Sequence, residues 1–349
     1  MLKLLTFKAL TLKPLTLKAL TLKALTLKPL KPRLLAGVLG VLATLLVIVA
    51  QPWTPAWSGA PPQLGINDYS RNEAPFTLPF HLVDGFVMID GRVNGVSGRF
   101  LWDTATPWGV YLNNHAIPLS NDSFIMTGHA GSGQEMAMYT QNRPIETVIL
   151  ADQIRFENLN GILHTDWSFT ETTFGPNFLG SIGHEFTQHY LFTLDYVRQQ
   201  IQCYSFEQAE TLLADYEAAG RLVAVIPFTS TDEDSRKPMF DLTLGSETLH
   251  GFWDTGNLGD LHLTAEAQEN LTTAGLLTLE TSDFWYGSPA RQTFANITGL
   301  SLDCRPLADI QHLSYTLGDD NTLGMGYQFL KHYITVWNYQ DQTLALVRP

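Results

Sequence analysis

Two tripeptides with the same chemistry constrain this chain more than any other feature. Asp103-Thr104-Ala105 and Asp254-Thr255-Gly256 each follow a short apolar run, Phe100-Leu101-Trp102 in the first case and Phe252-Trp253 in the second. Each pattern predicts a buried strand that ends in a tight turn and carries an aspartate into it. A single triplet of this kind is ordinary turn composition, but two in matching surroundings indicate a pair of carboxyl groups.

The surroundings of the two triplets also repeat, which indicates an internal duplication. Residues 183–190 (GHEFTQHY) align without gaps on residues 326–333 (GYQFLKHY), and a Leu-Gly pair precedes each block, at 179–180 and 323–324. Each half of the chain therefore has a strand-borne Asp-Thr followed by a Leu-Gly block, in the same order.

The chain downstream of residue 78 shows short apolar strands separated by turn residues, which predicts a mainly β fold. Ser205 followed by Gln208 is a capping-box pattern that predicts a helix running to about Gly220, and we interpret this helix as a connector. The predicted organisation is an N-terminal lobe over 78–204, a connector helix over 205–221 and a C-terminal lobe over 222–349.

The N-terminal residues have a different composition. Residues 1–33 form a basic low-complexity tail built on a five-residue repeat, and residues 34–50 are 17 uncharged residues, the short end of what spans a bilayer. Because the basic residues precede the apolar stretch, we expect a single-pass protein with a cytoplasmic N-terminus and an extracytoplasmic (periplasmic or extracellular) body. A cleaved signal peptide is the alternative. Residues 51–77, rich in Pro, Gly and Ser, are predicted as a linker.

Charge and cysteine content exclude several classes of function. Residues 1–50 hold eight of the 21 basic residues and no acidic one, which leaves 13 basic against 34 acidic residues in the rest of the chain. An acidic body of this kind argues against a nucleic-acid partner. No CxxC or HExxH spacing supports a metal site. Cys203 and Cys304 could form one disulfide or remain two thiols.

Two aspartates on facing turns can share one proton, because two neighbouring carboxylates do not both ionise easily. The ionised carboxyl can then take a proton from water, while the protonated one polarises the carbonyl that the water attacks. Thr104 and Thr255 would lock the two turns together, and the small residues Ala105 and Gly256 would let the two backbones approach.

These motifs resemble those of the aspartic peptidases, and they are nearer to the retropepsin-like bacterial aspartyl proteases than to full-length pepsins. The resemblance covers the last three quarters of the chain. It implies a bilobal retropepsin-like pseudo-dimer, active as a monomer without a cofactor, with Asp103 and Asp254 as catalytic dyad. It also implies a glycine-rich flap, for which Gly128, Gly131 and Gly133 are the candidates; a plain surface loop is the alternative.

The function expected from the resemblance is a membrane-anchored aspartic endopeptidase that hydrolyses polypeptides bound in an extended conformation. Ala105 departs from the glycine usual in the family. A catalytically inactive peptide-binding or scaffold module of the same fold is therefore the alternative.

Overall fold

The protein is mainly β, which confirms the coarse prediction of fold class. The structure is a computed structural model and describes residues 67–69, 73–130, 133–231, 236–282, 292–302 and 305–349. The predicted basic tail (1–33) and transmembrane segment (34–50) lie outside these residues. Within the described ranges, no helix has both the length and the apolar character needed to cross a membrane.

The strands of the described residues are numbered here in chain order. They are β1 (Phe76–Pro79), β2 (His81–Val83), β3 (Phe86–Val93), β4 (Val96–Trp102), β5 (Val110–Asn113), β6 (Ser123–His129), β7 (Glu135–Thr140), β8 (Ile145–Leu150), β9 (Ile154–Leu159), β10 (Leu163–Thr165), β11 (Phe178–Ile182), β12 (Leu191–Asp195), β13 (Gln200–Tyr204), β14 (Leu222–Pro227), β15 (Met239–Leu244), β16 (Glu247–Trp253), β17 (Asp260–Leu263), β18 (Leu277–Ser282), β19 (Gln292–Ile297), β20 (Ser301–Leu302), β21 (Arg305–Pro306), β22 (Ile310–Leu317), β23 (Thr322–Met325), β24 (Ile334–Asn338) and β25 (Thr343–Val347).

Helices are short and few in these ranges. The α-helices are α1 (Glu171–Phe174), α2 (His184–Thr187), α3 (Ala209–Ala218), α4 (Ala265–Thr273) and α5 (Tyr327–Leu330). Helix α3 follows a 3₁₀ turn at Phe206–Gln208, and the capping box between Ser205 and Gln208 is formed. It lies between the two halves of the chain.

Two sheets share one strand order. In the first, which we call lobe 1, the order β3-β4-β11-β5-β10-β7-β6 occurs; in the second, lobe 2, it is β15-β16-β23-β17-β22-β19-β18. The strand directions agree as well, since β4–β11 and β16–β23 are parallel pairs, as are β5–β10 and β17–β22. The duplication seen in the sequence is thus a duplication of sheet topology.

A third sheet joins the lobes. Its order is β1-β13-β12-β24-β25-β14, so three strands of the N-terminal half lie beside three of the C-terminal half, and β12 and β24 meet at the junction. Across this junction Phe192 is in register with Trp337, and their rings stack with centroids 5.6 Å apart. Helix α3 covers one face through an apolar cluster with β24 and β25. Burial of these aromatic surfaces fixes the lobes against each other.

The hairpin before each triplet sets its register through a two-residue turn. In lobe 1 the turn is Asn94-Gly95, with φ of 47° and 85°, and in lobe 2 it begins at Gly245, with φ of 61°. Left-handed turn residues match the twist of the flanking strands and hold one register. Consequently the residue that stands opposite each aspartate is determined by the turn.

The folded part begins before residue 78. Tyr69 is buried against Phe156 and Phe186, with ring centroids 5.3 and 6.4 Å away, and β1 begins at Phe76. Part of the segment predicted as a linker (51–77) therefore belongs to lobe 1 and to the joining sheet. The Pro-rich composition of this segment predicts turns and a linker, but the burial of the Tyr69 ring outweighs this local preference.

Candidate active site

Both aspartates stand directly after a strand that is paired on both sides. The backbone N–H of Asp103 donates to the carbonyl of Ile182 (2.9 Å), and that of Asp254 donates to the carbonyl of Met325 (3.1 Å). The tryptophan before each aspartate is fully buried. The two carboxyl groups are therefore delivered by equivalent, rigid positions of the two lobes.

The two threonines bond to each other across the lobe interface. The N–H of Thr104 donates to Oγ1 of Thr255 (3.1 Å), and the N–H of Thr255 donates to Oγ1 of Thr104 (3.1 Å). Oγ1 of Thr255 also donates to the carbonyl of Trp102 (2.7 Å). Both threonines are fully buried. We call this arrangement the threonine lock; it fixes the two aspartate-bearing turns relative to each other.

The carboxyl group of Asp103 packs against the backbone of the opposite triplet. A Cβ built on Gly256 would lie 2.6 Å from Cγ of Asp103 and 2.7 and 2.8 Å from its oxygens. Only glycine fits such an approach. Burial, followed by the neighbouring charge of Asp103, raises the pKa of Asp254 well above its usual range. The two carboxyls are thus electrostatically coupled.

Hydrogen bonding distinguishes the two carboxyl groups. Asp103 Oδ1 accepts from the N–H groups of Ala105 (3.1 Å) and Thr106 (3.0 Å), and its Oδ2 accepts from Oγ1 of Thr106 (2.6 Å). Asp254 Oδ1 accepts from the N–H of Gly256 (2.8 Å). Donors aimed at a carboxylate stabilise its negative charge. The pair can therefore hold one proton, with the charge on Asp103 and the proton on Asp254.

The repeated glycine blocks support the loops that follow the triplets. A Cβ on Gly183 would lie 2.3 Å from the carbonyl oxygen of Thr106, and one on Gly326 would lie 2.0 Å from that of Asn257. The next residue in each block donates its N–H to the same carbonyl, at 2.7 Å in lobe 1 and 3.0 Å in lobe 2. The glycine blocks of the second sequence repeat thus pack against the loops that follow the two triplets and hold them by hydrogen bonds.

The candidate flap is the β6–β7 hairpin of lobe 1. Gly128 lies on β6, where a Cβ would meet Met138 at 2.5 Å, and Gly133 lies at the turn with φ of 80°. Gly131 lies outside the described residues. One face of the hairpin, including Ala130 and Met136 beside its turn, packs in an apolar cluster with Trp108, which stands close after the first triplet. The topologically equivalent hairpin of lobe 2 is β18–β19.

An ion pair crosses between the lobes beside the site. Arg236 of lobe 2 pairs with Glu185 of lobe 1 (3.5 Å), and Glu185 accepts the N–H of Gly109 (3.1 Å). Burial raises the pKa of Glu185. Because Gly109 precedes β5, this bond steadies the loop between the first triplet and that strand.

Sequence reasoning did not select two residues that the structure places at the site. They are Thr106, which directly follows the first triplet, and Lys237, which lies shortly before β15. Counting back the hairpin register from β15 would have placed Lys237 opposite Asp254.

The structure gives no residue set for a metal within its described ranges, where no cluster of three or more His, Cys, Asp or Glu side chains could hold an ion. Cys203 is a buried free thiol whose pKa burial raises. Cys304 lies outside the described residues.

No family model matches this chain, and no curated protein matches it. Among solved structures, it is similar to basic 7S globulin from soybean, with a TM-score of 0.47 and 10% identity over 79% of this chain and 95% of that chain. It is also similar to conglutin gamma, a unique basic 7S globulin from lupine seeds, with a TM-score of 0.46 and 9% identity over the same shares of the two chains. Likeness of this degree says nothing about activity.

These comparisons overturn the identification of the chain as a retropepsin-like aspartic peptidase. No model or curated member of that family matches, and the two solved structures above are globulins. The physical reason is that an Asp-Thr turn specifies local geometry and not membership of a family. What the chain does must be inferred from its own site.

Proposed function

We propose that this protein hydrolyses peptide bonds with a proton shared between Asp103 and Asp254. The observation that carries the proposal is the threonine lock, which holds two coupled carboxyls between duplicated lobes. A pair that shares one proton provides a general base and a general acid at the same place and time. The other groups that the reaction needs are hydrogen-bond donors to the two carboxyls, and these are backbone N–H groups and a threonine hydroxyl already bonded to them.

In the proposed reaction, ionised Asp103 takes a proton from a water molecule as the oxygen attacks the peptide carbonyl. Protonated Asp254 donates a hydrogen bond to the carbonyl oxygen and stabilises the negative charge that develops there. Asp103 then passes the proton that it took from the water to the leaving nitrogen, and the C–N bond breaks. Thr106 keeps the charge on Asp103 by donating to its Oδ2.

The proposed substrate is an extended polypeptide lying between the lobes. An extended strand satisfies its backbone groups against neighbouring strand edges, and β6 is the outer strand of its sheet. The β6–β7 hairpin would cover the substrate and exclude water. Because both aspartates come from one chain, the site needs no second copy.

The test is cleavage of an unfolded protein substrate by the full chain between pH 3 and pH 7. Asp103→Asn and Asp254→Asn should each abolish cleavage, since either change removes one half of the shared-proton pair. Asp241→Asn is the matched control, because its carboxyl is exposed and, among the described residues, bonds His250 in the same hairpin. Full cleavage by either dyad variant would overturn the proposal.

A binding module without turnover is the second candidate, and Ala105 favours it. Ala105 takes the place in the first triplet that Gly256 takes in the second, where a Cβ would press on the opposite carboxyl. Its methyl group would narrow the space at Asp254. Peptide binding without cleavage by the natural chain, with cleavage gained in Ala105→Gly, would establish this candidate.

Residues 34–50 also lead us to propose membrane anchoring with the lobes outside the cytoplasm. The full chain should then stay in the membrane fraction after an alkaline wash, whereas a chain that begins at residue 51 should be released. Release of the full chain would refute the anchor.

A further inference from the structure

The two lobes differ at the position that faces each aspartate across the hairpin. In lobe 1, Met88 pairs with Leu101, so that Phe86 stands opposite Asp103. The Phe86 ring packs edge-on against Phe174, with centroids 5.1 Å apart. An aromatic residue in an apolar contact brings no charge to this side of the pair.

In lobe 2 the equivalent position is cationic. Met239 pairs with Phe252 and the N–H of Trp253 donates to the carbonyl of Pro238 (2.9 Å), so the preceding residue, Lys237, stands opposite Asp254. The Lys237 ammonium lies 5.0 Å from the centre of the Phe252 ring. Residues two apart on a strand share a face, so this ring and Asp254 lie on the same side of β16.

We propose that Lys237 is a positioning residue that sets the pH range over which the Asp103–Asp254 pair holds a single proton. The proposal rests on the proposed hydrolytic function, since that function requires the singly protonated pair. Lys237 acts through Asp254 by its charge and does not touch the substrate.

The other charged groups around Asp254 make this cation important. Asp103 approaches from the end of β4 and Asp260 from β17, and both carboxylates oppose ionisation of Asp254, whereas Lys237 favours it. Asp260 is itself bonded to His262 (3.0 Å), whose pKa it raises.

Two tyrosines complete the surroundings of the pair. Tyr196 and Tyr339 both lie close to it, and burial raises their pKa, which keeps them neutral. Among the charged groups that act on Asp254, Lys237 is thus the one that lowers the pKa of Asp254, against the effect of the two neighbouring carboxylates.

The sign of the effect is fixed. A positive charge beside a carboxyl lowers its pKa. Removing the charge should therefore raise the pKa of Asp254 and keep its proton to higher pH. In Lys237→Met, the alkaline limb of the profile of kcat/KM against pH should move upward by roughly 0.5 to 1 pH unit, a modest shift because the lysine is partly exposed. Lys237→Arg keeps the charge and should keep the natural profile.

Lys331→Met is the matched control. The Lys331 ammonium lies 5.1 Å from the centre of the Tyr327 ring, the same kind of contact as that of Lys237, but Lys331 is not among the groups that act on Asp254. The profile of this variant should coincide with that of the natural chain. An unmoved or lowered limb in Lys237→Met, or an equal shift in Lys237→Arg, would overturn the proposal.

A second measurement separates this proposal from the proposed function. In protein labelled with ¹³C at the aspartate carboxyl carbons, NMR follows the titration of Asp254, assigned with Asp254→Asn, whether or not peptides are cleaved. An upward shift of that titration in Lys237→Met supports the role of Lys237 even if no substrate is hydrolysed. An unshifted titration refutes it even if hydrolysis is found.

Discussion

Thr255 is the member of the threonine lock whose loss should cost the most stability. Its Oγ1 accepts from the N–H of Thr104 and donates to the carbonyl of Trp102, and all three residues are fully buried. Valine has the same shape but removes the hydrogen bond that each of these two partners makes to Thr255. Each orphaned buried group costs about 1 to 3 kcal/mol, and the added methyl burial returns about 1 kcal/mol. Two orphaned groups less the methyl term give an expected loss of about 1 to 5 kcal/mol for Thr255→Val.

Thr104→Val should cost less, because only the N–H of Thr255 loses an acceptor at hydrogen-bond distance. One orphaned group less the methyl term gives an expected loss of about 0 to 2 kcal/mol. Urea unfolding of both variants and of Thr255→Ser, which keeps the hydroxyl group, measures these losses when the slope against denaturant is unchanged. If Thr255→Val is no less stable than Thr255→Ser, the lock is not held by hydrogen bonds and the reasoning fails.

Three further predictions concern the carboxyl pair. Gly256→Ala should displace the Asp103 carboxyl and reduce kcat roughly 100-fold, because small misplacements of reacting groups are costly; unchanged kcat would contradict the packing. Thr106→Val should lower kcat through loss of the hydroxyl donor to Asp103 Oδ2, whereas Thr106→Ser should retain it; equal losses would show that the hydroxyl is not what matters. The pKa of Asp254 is raised in the folded chain, so the folded chain keeps a proton that the unfolded chain releases above about pH 4. The free energy of unfolding therefore falls as the pH rises from about 4 toward the pKa of Asp254 in the folded chain. Asp254→Asn should show a smaller fall in unfolding free energy from about pH 3 to about pH 7 than the natural chain, as measured by urea unfolding; an equal fall would contradict the shift.

The features that could be predicted from the sequence are those specified by local patterns. The Asn94-Gly95 turn, the capping box at Ser205 and the mainly β class all depend on residues a few positions apart. The joining sheet could not be predicted in this way, because β12 pairs with β24 across more than a hundred residues, and nothing local in either strand selects that partner.

The site residues likewise divide into those that the sequence indicates and those that only the folded chain shows. The aspartates and threonines of the two triplets stood out because they occur twice. Lys237 and Thr106 occur once, and their importance depends on a register and on a bond to Asp103 that only the folded chain shows. A repeated motif marks what the two lobes share, and the residues in which the lobes differ carry no such mark.

Those distinctions are what the proposed chemistry requires. A perfectly symmetric pair would give both carboxyls the same affinity for the proton, yet the reaction needs one acid and one base at any moment. The lobes differ on both sides: Thr106 donates to the aspartate of lobe 1, where lobe 2 has Asn257, and Lys237 faces the aspartate of lobe 2, where lobe 1 has Phe86. The Thr106 bond favours the charge on Asp103 and so sets the asymmetry, whereas the Lys237 charge opposes the proton on Asp254 and limits it.

The two distinctions act in different ways on the pair. Thr106 decides which aspartate carries the charge, because its hydroxyl group donates to Asp103 alone. Lys237 decides over which pH range the other aspartate keeps the proton, because its charge acts on Asp254. Moving the hydroxyl donor alone from lobe 1 to lobe 2 should therefore shift negative charge toward Asp254, whereas removing Lys237 alone should leave the charge on Asp103 and strengthen the hold of Asp254 on its proton.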